Sequence, residues 1–312
     1  MIEVSNLSKH YGETRAVDQI SFSLPTGEVL GFLDPNDAGK TTTVRIITCY
    51  IPPTAGTVAV DGLDVVEQSM EVRRKIGYLP ESAPLYPEMD VLEYLDFVWA
   101  LRQGTKSDRN RRIKHVVELC GLGDVIAKNI SELSKGYRQR VGLAQSMIHD
   151  PEILVFDEPT VGLDPNQIVE IRNLIKMLGR QKTVILCSHI LSEVEATCKR
   201  VLIINRGKIV ADGTTESLQQ SFAGRSTIRL EIDQSPDIVR PVLLSIDGVE
   251  ELKAFPQNGH AECELTCRKG SDPREAIFHK IVENRWVLLE MKREVTSLED
   301  VFRQLTVGGE HE

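Results

Sequence analysis

The sequence predicts an α/β fold: a largely parallel sheet carrying a phosphate-binding loop, an antiparallel flap beside it, a helical insertion, and a small α+β domain at the C-terminal end. Three observations predict it. Glu28 to Thr48 reads as a buried strand (Val29 to Leu33), a tight loop, and a helix whose Val44, Ile46 and Ile47 share an apolar side. Ile153 to Phe156 is a continuous apolar run ending in two carboxylates, and Thr183 to Ser188 is another apolar strand. From Thr227 the pattern changes to strand, helix, strand, strand, helix, strand, a split βαββαβ order. The expected division is residues 1–223, with a helical insertion over about 82–150, then residues 224–312.

The loop before the first helix is Asp34-x-x-x-x-Gly39-Lys40-Thr41, a P-loop in every respect except its first glycine. In such a loop, successive backbone N–H groups and a helix N-terminus converge on phosphates, and a lysine adds a mobile positive charge. Lys40 is placed to reach the β- and γ-phosphates, Thr41 to offer its hydroxyl to magnesium, and Thr42 to donate to an inner phosphate. Gly39 leaves room for close approach, and Pro35, Asn36, Asp37 and Ala38 complete the cradle. Asp34 and Asp37 stand against that purpose, because a carboxylate there faces a polyphosphate and glycine's backbone freedom is often needed. Two like unit charges about 4 Å apart cost roughly 4 kcal/mol at an effective dielectric near 20, or about three orders of magnitude in affinity. Aspartate tolerates left-handed conformations better than most residues, so loop geometry is expected to survive better than affinity.

Ahead of this loop, Ile2 to Leu7 and Gln19 to Leu24 alternate like partly exposed strands, with a turn at Tyr11-Gly12. Tyr11 is placed to stack on an adenine. After the loop's helix, Pro52 to Gly56 breaks the chain and Thr57 to Val60 resumes a strand. Val91, Leu92, Leu95 and Val98 recur at helical spacing, as do Ile113, Val116, Val117 and Cys120, and the arginines of 109–112 suit a solvated helix face. Ser134 is positioned to cap a helix running through Met147. Asp157 and Glu158 then fall at the C-terminal end of a buried strand, the edge where open α/β sheets bind ligands. Val201 to Asn205 and Lys208 to Ala211 form a hairpin about Arg206-Gly207, and after the βαββαβ stretch, ferredoxin-like in order, a last helix covers Leu298 to Leu305 before a frayed Gly308 to Glu312.

Composition bounds the function. The 312 residues suffice for a full core in one large domain and a small one, and the net charge of −9 speaks against wrapping nucleic acid. No uninterrupted apolar run approaches the roughly 20 residues that span a bilayer, and Met1-Ile2-Glu3-Val4 opens a strand and not a signal peptide. An acidic cytoplasmic protein without direct membrane insertion is expected. The six cysteines are scattered through mostly apolar segments, as buried free thiols are.

These motifs, in this order, resemble the ATP-binding subunit of ABC transporters, a P-loop NTPase cassette, over nearly all of about the first 220 residues. Leu133-Ser134-Lys135-Gly136-Tyr137-Arg138-Gln139-Arg140 is similar to the family's signature, Ile153 to Thr160 to its Walker B segment, and Val161-Gly162-Leu163-Asp164 to its D-loop. The resemblance implies that Asp157 holds magnesium through water, Glu158 polarises the attacking water and His189 contacts the γ-phosphate. Glu81 stands at the Q-loop position, where the family usually has glutamine.

The resemblance also implies partners. Ser134 and Gly136 would complete the ATP site of a second copy, homologous or identical, with Asp164 at the seam. Closure and reopening would drive a separate permease whose coupling helix docks near Glu81 to Asp96. The signature and Walker B wording is similar to the subgroup that pairs with ABC-2 type permeases, including gliding-motility-associated exporters, and the C-terminal domain is similar to that subgroup's appendage. Three functions follow as alternatives: a working transport ATPase, peripheral on the inner face of the cell membrane; a nucleotide-poor scaffold beside an active partner cassette; and a soluble ABC protein acting on nucleic acid, which the acidic charge disfavours.

Overall fold

The computed structural model describes the chain apart from residues 35–38, 223–225, 258, 269, 295–297 and 308–312. The expected boundary at 223/224 and the expected frayed end therefore lie outside the described residues. By its contacts the chain forms two compact units, Met1–Thr215 and Glu216–Glu312.

In the first unit, β1 (Ile2–Tyr11), β2 (Thr14–Leu24) and β3 (Val29–Leu33) precede α1 (Lys40–Ile47), and β4 (Ala55–Val60), β5 (Leu63–Asp64), α2 (Ser69–Lys75) and β6 (Ile76–Leu79) follow. The insertion holds α3 (Val91–Leu101), α4 (Arg109–Cys120) and α5 (Lys135–Met147). Then come β7 (Ile153–Asp157), α6 (Pro165–Leu178), β8 (Thr183–Ser188), α7 (Leu191–Thr197), β9 (Arg200–Asn205) and β10 (Lys208–Thr214); α8 (Thr215–Phe222) starts at the division and belongs, but for its first residue, to the second unit.

The central sheet has the order β10-β9-β3-β8-β7-β6, parallel except for the β9–β10 hairpin. Its middle strands are buried along their length, which is why they read as unbroken apolar runs. The flap is the antiparallel sheet β2-β1-β4-β5. Its inner residues Ile2, Val4, Leu24 and Val60 share one core with Val44, Ile46 and Phe32, and the Phe22 and Phe32 rings meet at 5.9 Å between centroids. β1 runs past Leu7, where its alternation was expected to stop, because register shifts between Val4 and His10 break the period of two while the ladder continues.

The insertion is organised by caps. Asp90 and Glu93 form a capping box at the start of α3, and the Ser134 hydroxyl accepts from the Tyr137 N–H at 3.4 Å, so the expected cap on α5 is present. α5 then lies across β6 at its one glycine. A Cβ built on Gly77 would stand 2.0 Å from the Ser146 carbonyl oxygen and 2.8 Å from the Pro151 ring. Gly77→Ala must therefore push the helix off the sheet; the expected cost is about 1–3 kcal/mol, read as a lower urea midpoint at unchanged slope.

The second unit holds β11 (Ser226–Ile232), α9 (Pro236–Leu244), β12 (Val249–Gln257), β13 (His260–Cys267), α10 (Arg274–Glu283), β14 (Leu288–Glu294) and α11 (Leu298–Val307). Its sheet is antiparallel in the order β12-β13-β11-β14, the arrangement a split βαββαβ chain produces. Alternate residues Ala261, Cys263, Leu265 and Cys267 of β13 form a core with Val239 and Leu243 of α9 and Ile277 and Ile281 of α10. All six cysteines of the chain are buried.

Candidate active site

Parallel strands bring the candidate residues to one edge. Leu33 at the end of β3 pairs with Ser188 at the end of β8, and Asp157 at the end of β7 pairs with Cys187, so Asp34, Asp157, Glu158 and His189 all emerge on the C-terminal side of the sheet. α1 starts on the same side. Gly39 is its N-cap with φ of 121°, and a Cβ there would stand 2.5 Å from the Ala16 carbonyl oxygen of β2. Both the backbone angle and the packing therefore demand glycine. Lys40 begins the helix, with Thr41 and Thr42 half-buried behind it. Pro35, Asn36, Asp37 and Ala38 lie outside the described residues.

The Lys40 ammonium is paired with Glu158, Nζ to Oε1 at 2.5 Å, across 118 positions of sequence, and the two side chains are only 6% and 7% exposed. Burial would depress the lysine pKa, yet it is raised on balance, because Cys187 and then the Glu158 and Asp157 carboxylates together outweigh burial. The other Glu158 oxygen lies 2.9 Å from His189 Nδ1, whose side chain is 54% exposed. Glu158 thus faces the lysine and the histidine at once. It is aimed there by a left-handed backbone, φ of 50°, with its N–H donating to the Cys187 carbonyl at 3.0 Å. Such a conformation costs about 1–3 kcal/mol outside glycine and is typical of functional sites.

Asp157 is buried and its Oδ1 has no hydrogen-bond partner among the described residues. Burial pushes its carboxyl up to about 6; Glu158 and Glu81 add to the rise and Lys40 offsets part of it. Glu81, exposed just beyond β6, is therefore within electrostatic reach of the site. A buried carboxylate oxygen without a hydrogen-bond partner among the described residues, beside the Glu158 carboxylate, is chemically suited to a divalent cation. Asp34 is 1% exposed, and its Oδ2 accepts the Lys40 backbone N–H at 3.1 Å. An anion of the chain itself thus takes a donor at the very helix end that favours phosphate.

The remaining candidates have other partners. Tyr11 is half exposed at the β1–β2 turn, with Lys9 Nζ 5.4 Å from its ring centre. Ser134 is occupied in capping α5, and Gly136 packs against the Gln167 amide of α6. Asp164 caps α6, accepting from the N–H groups of Asn166 and Gln167 at 3.0 Å each. Among the described residues, neither Ser134 nor Gly136 has a hydrogen bond to Gly39, Lys40, Thr41 or Thr42 of its own chain.

Residues 17–161, from the flap to the end of the Walker B segment, match the ABC transporter family. The linearmycin resistance ATP-binding protein LnrL of Bacillus subtilis (strain 168) is 33% identical, over 98% of each chain. The chain belongs to the ABC transporter family. Like other ATP-binding subunits of that family, it is an ATPase coupled to transport. The bacitracin transport ATP-binding protein BcrA of Bacillus licheniformis is 31% identical over 99% of this chain and 98% of its own, so the resemblance extends through the C-terminal unit. The dimeric structure of MJ0796, a bacterial ABC transporter cassette, superposes with a TM-score of 0.64 at 25% identity, covering 69% of this ABC subunit and 98% of the cassette. Among the described residues of the ABC subunit, no helix is long and apolar enough to cross a membrane.

The structure also shows parts of the site that the sequence did not announce. The left-handed turn at Glu158 has no signal in residue type, since glutamate is not a residue that favours it. Glu193, buried behind the site on α7, is one acidic residue among 46 and nothing in its neighbours marks it.

Proposed function

We propose that this chain binds and hydrolyses ATP with magnesium and powers an ABC-2 type exporter. The observation that carries the reading is the junction at Glu158, where one buried carboxylate meets both the P-loop lysine and an exposed histidine at the C-terminal edge of the sheet. Lys40 and the first backbone N–H groups of α1, including those of Thr41 and Thr42, would hold the phosphates, with Tyr11 against the base. Thr41 and Asp157 would hold magnesium, which neutralises charge on the phosphates when bound. Glu158 would orient and polarise the attacking water, His189 would contact the γ-phosphate, and Glu81 would report on the metal from the side. Such chemistry needs positioning and electrostatics more than covalent help.

Ser134, Gly136 and Asp164 would act on the site of a second cassette, homodimeric or heterodimeric, as the dimeric MJ0796 cassette suggests. The permease would dock along Glu81 to Asp96, beside a cleft of about 560 Å³ lined by Tyr50, Arg73, Arg74 and Arg102. Attached there, the subunit would sit peripherally on the cytoplasmic face of the membrane. Export is supported by the name of a further relative, the Nod factor export ATP-binding protein I of Burkholderia lata, 32% identical over 98% of this chain.

The test is an equilibrium titration with ATP, with and without magnesium. Magnesium-dependent binding below millimolar ATP is expected, weakened about 10- to 100-fold in Lys40→Ala, the worth of a hydrogen bond to a charged group. No magnesium-dependent binding at millimolar ATP would overturn the reading. The second reading, a nucleotide-poor scaffold beside an active partner cassette, is favoured by one observation: the Asp34 carboxylate already holds the Lys40 N–H.

A further inference from the structure

We infer that Glu193 is a positioning residue that sets the loop bearing His189 against the loop that follows Glu158. The inference rests on the catalytic reading of Glu158 and His189 given above. Glu193 lies in the first turn of α7 and is 4% exposed. A buried carboxylate needs compensation, and among the described residues no ion pair supplies it. Two hydroxyls do. Thr160 Oγ1 donates to Glu193 Oε2 at 2.5 Å, and Ser188 Oγ donates to the same oxygen at 3.4 Å.

The two donors belong to different strands' ends. Thr160 stands two positions after Glu158, and Ser188 immediately precedes His189. Both hydroxyl-bearing residues are buried. Ser188 Oγ also accepts from the Ile190 N–H at 3.0 Å, so the serine closes a tight turn around His189. The contacts form a ring: Glu158 through Pro159 to Thr160, across Glu193 to Ser188, on to His189, and back from His189 Nδ1 to Glu158 Oε2.

The ring explains how an imidazole that is half in solvent keeps a fixed relation to a buried carboxylate. One side is the direct contact, which a bound substrate would replace. The other is the Glu193 bridge, which touches neither side chain and can persist when that contact breaks. Glu193 thereby couples the placement of the two groups without entering the chemistry. A glutamate in the first turn of a helix is also favoured by the helix dipole, so a purely structural role predicts lost stability and nothing more.

The test uses the full chain with isotope-labelled histidine, the His189 ring signals being assigned by their loss in His189→Gln. In the wild type, one dominant ring tautomer is expected, with Nδ1 facing Glu158 Oε2. In Glu193→Ala the ring should average between tautomers, and Glu193→Gln, whose amide oxygen can stand in for Oε2 and accept from both hydroxyls, should recover most of the wild-type signature. Thr160→Val and Ser188→Ala, each removing one donor, should shift the same signals and guard against a Glu193→Ala chain that does not fold. Turnover should fall about tenfold in Glu193→Ala with the ATP dissociation constant within about twofold of wild type, and the variant should add nothing in a His189→Ala background, as expected of residues acting as a unit. Unchanged His189 signals in folded Glu193 and Thr160 variants would overturn the inference. That failure is separable from failure of the catalytic reading, because the histidine spectrum needs no nucleotide, whereas the catalytic reading fails in the wild-type titration.

Discussion

Glu158→Gln is expected to lower the turnover of ATP by about a thousandfold while leaving magnesium-dependent binding as tight as in the wild type or tighter. The loss follows from the role: a positioned carboxylate that takes up a proton contributes about 10²- to 10⁴-fold, and an amide of the same shape cannot accept one. The gain in binding follows from the resting contact. Lys40 is held at 2.5 Å by a buried carboxylate, and a phosphate must draw the ammonium away from it before the lysine can serve. With glutamine the lysine keeps a hydrogen-bond acceptor and loses the competing charge. Removing one partner of a buried pair destabilises a fold by about 3–5 kcal/mol when the other is left bare, so a lower melting temperature without nucleotide, largely restored by it, is part of the expectation. Phosphate release and equilibrium binding, measured on the same preparation, separate the two effects. Turnover equal to wild type would show that Glu158 is only the lysine's counterion.

The structure shows which parts of this site sequence can express. The strands at Val29–Leu33 and Thr183–Ser188 were legible to the residue because burial on both faces leaves an unbroken apolar run. The flap was legible in kind but not in length, since irregular register hides the later turns of β1 behind polar residues. The start of α6 is written in its sequence: Asp164-Pro165-Asn166-Gln167 is a capping box with proline at the first helical position. Local chemistry of this kind can be read from neighbours. The Lys40–Glu158 pair and the Glu193 bridge cannot, because they join residues 118 and 33 positions apart whose meeting is decided by strand order. The P-loop lies between these cases. Its motif announced a phosphate site and its two aspartates announced a conflict, but only the fold shows that Asp34 points into the helix end and not out to solvent.

Asp34→Gly should therefore raise ATP affinity by about two to three orders of magnitude. Two effects of the same sign combine. The Lys40 N–H, now satisfied at 3.1 Å by Asp34 Oδ2, becomes available to a phosphate, and a buried like charge beside the binding site is removed. The second is the larger: about 4 kcal/mol for unit charges some 4 Å apart at an effective dielectric near 20, and burial limits the relief that salt can give. Asp34→Asn divides the two, since its side-chain oxygen can still accept the Lys40 N–H while the charge is gone. It should recover most of the affinity, and glycine the remainder. The variant also takes away the acceptor of the Lys40 N–H, worth about 1 kcal/mol, so the nucleotide-free protein should be slightly less stable even as it binds better. Calorimetric titration at fixed magnesium reads the affinity directly, with Asp37→Gly measured alone and combined. If Asp34→Gly bound ATP no better than the wild type, the carboxylate would be a loop-forming residue that leaves the site when phosphate arrives. The scaffold reading would then lose its one structural support. If instead affinity rose as expected and turnover rose with it, the wild-type chain would be a cassette held down by its own anion, dependent on high ATP or on a partner cassette to close.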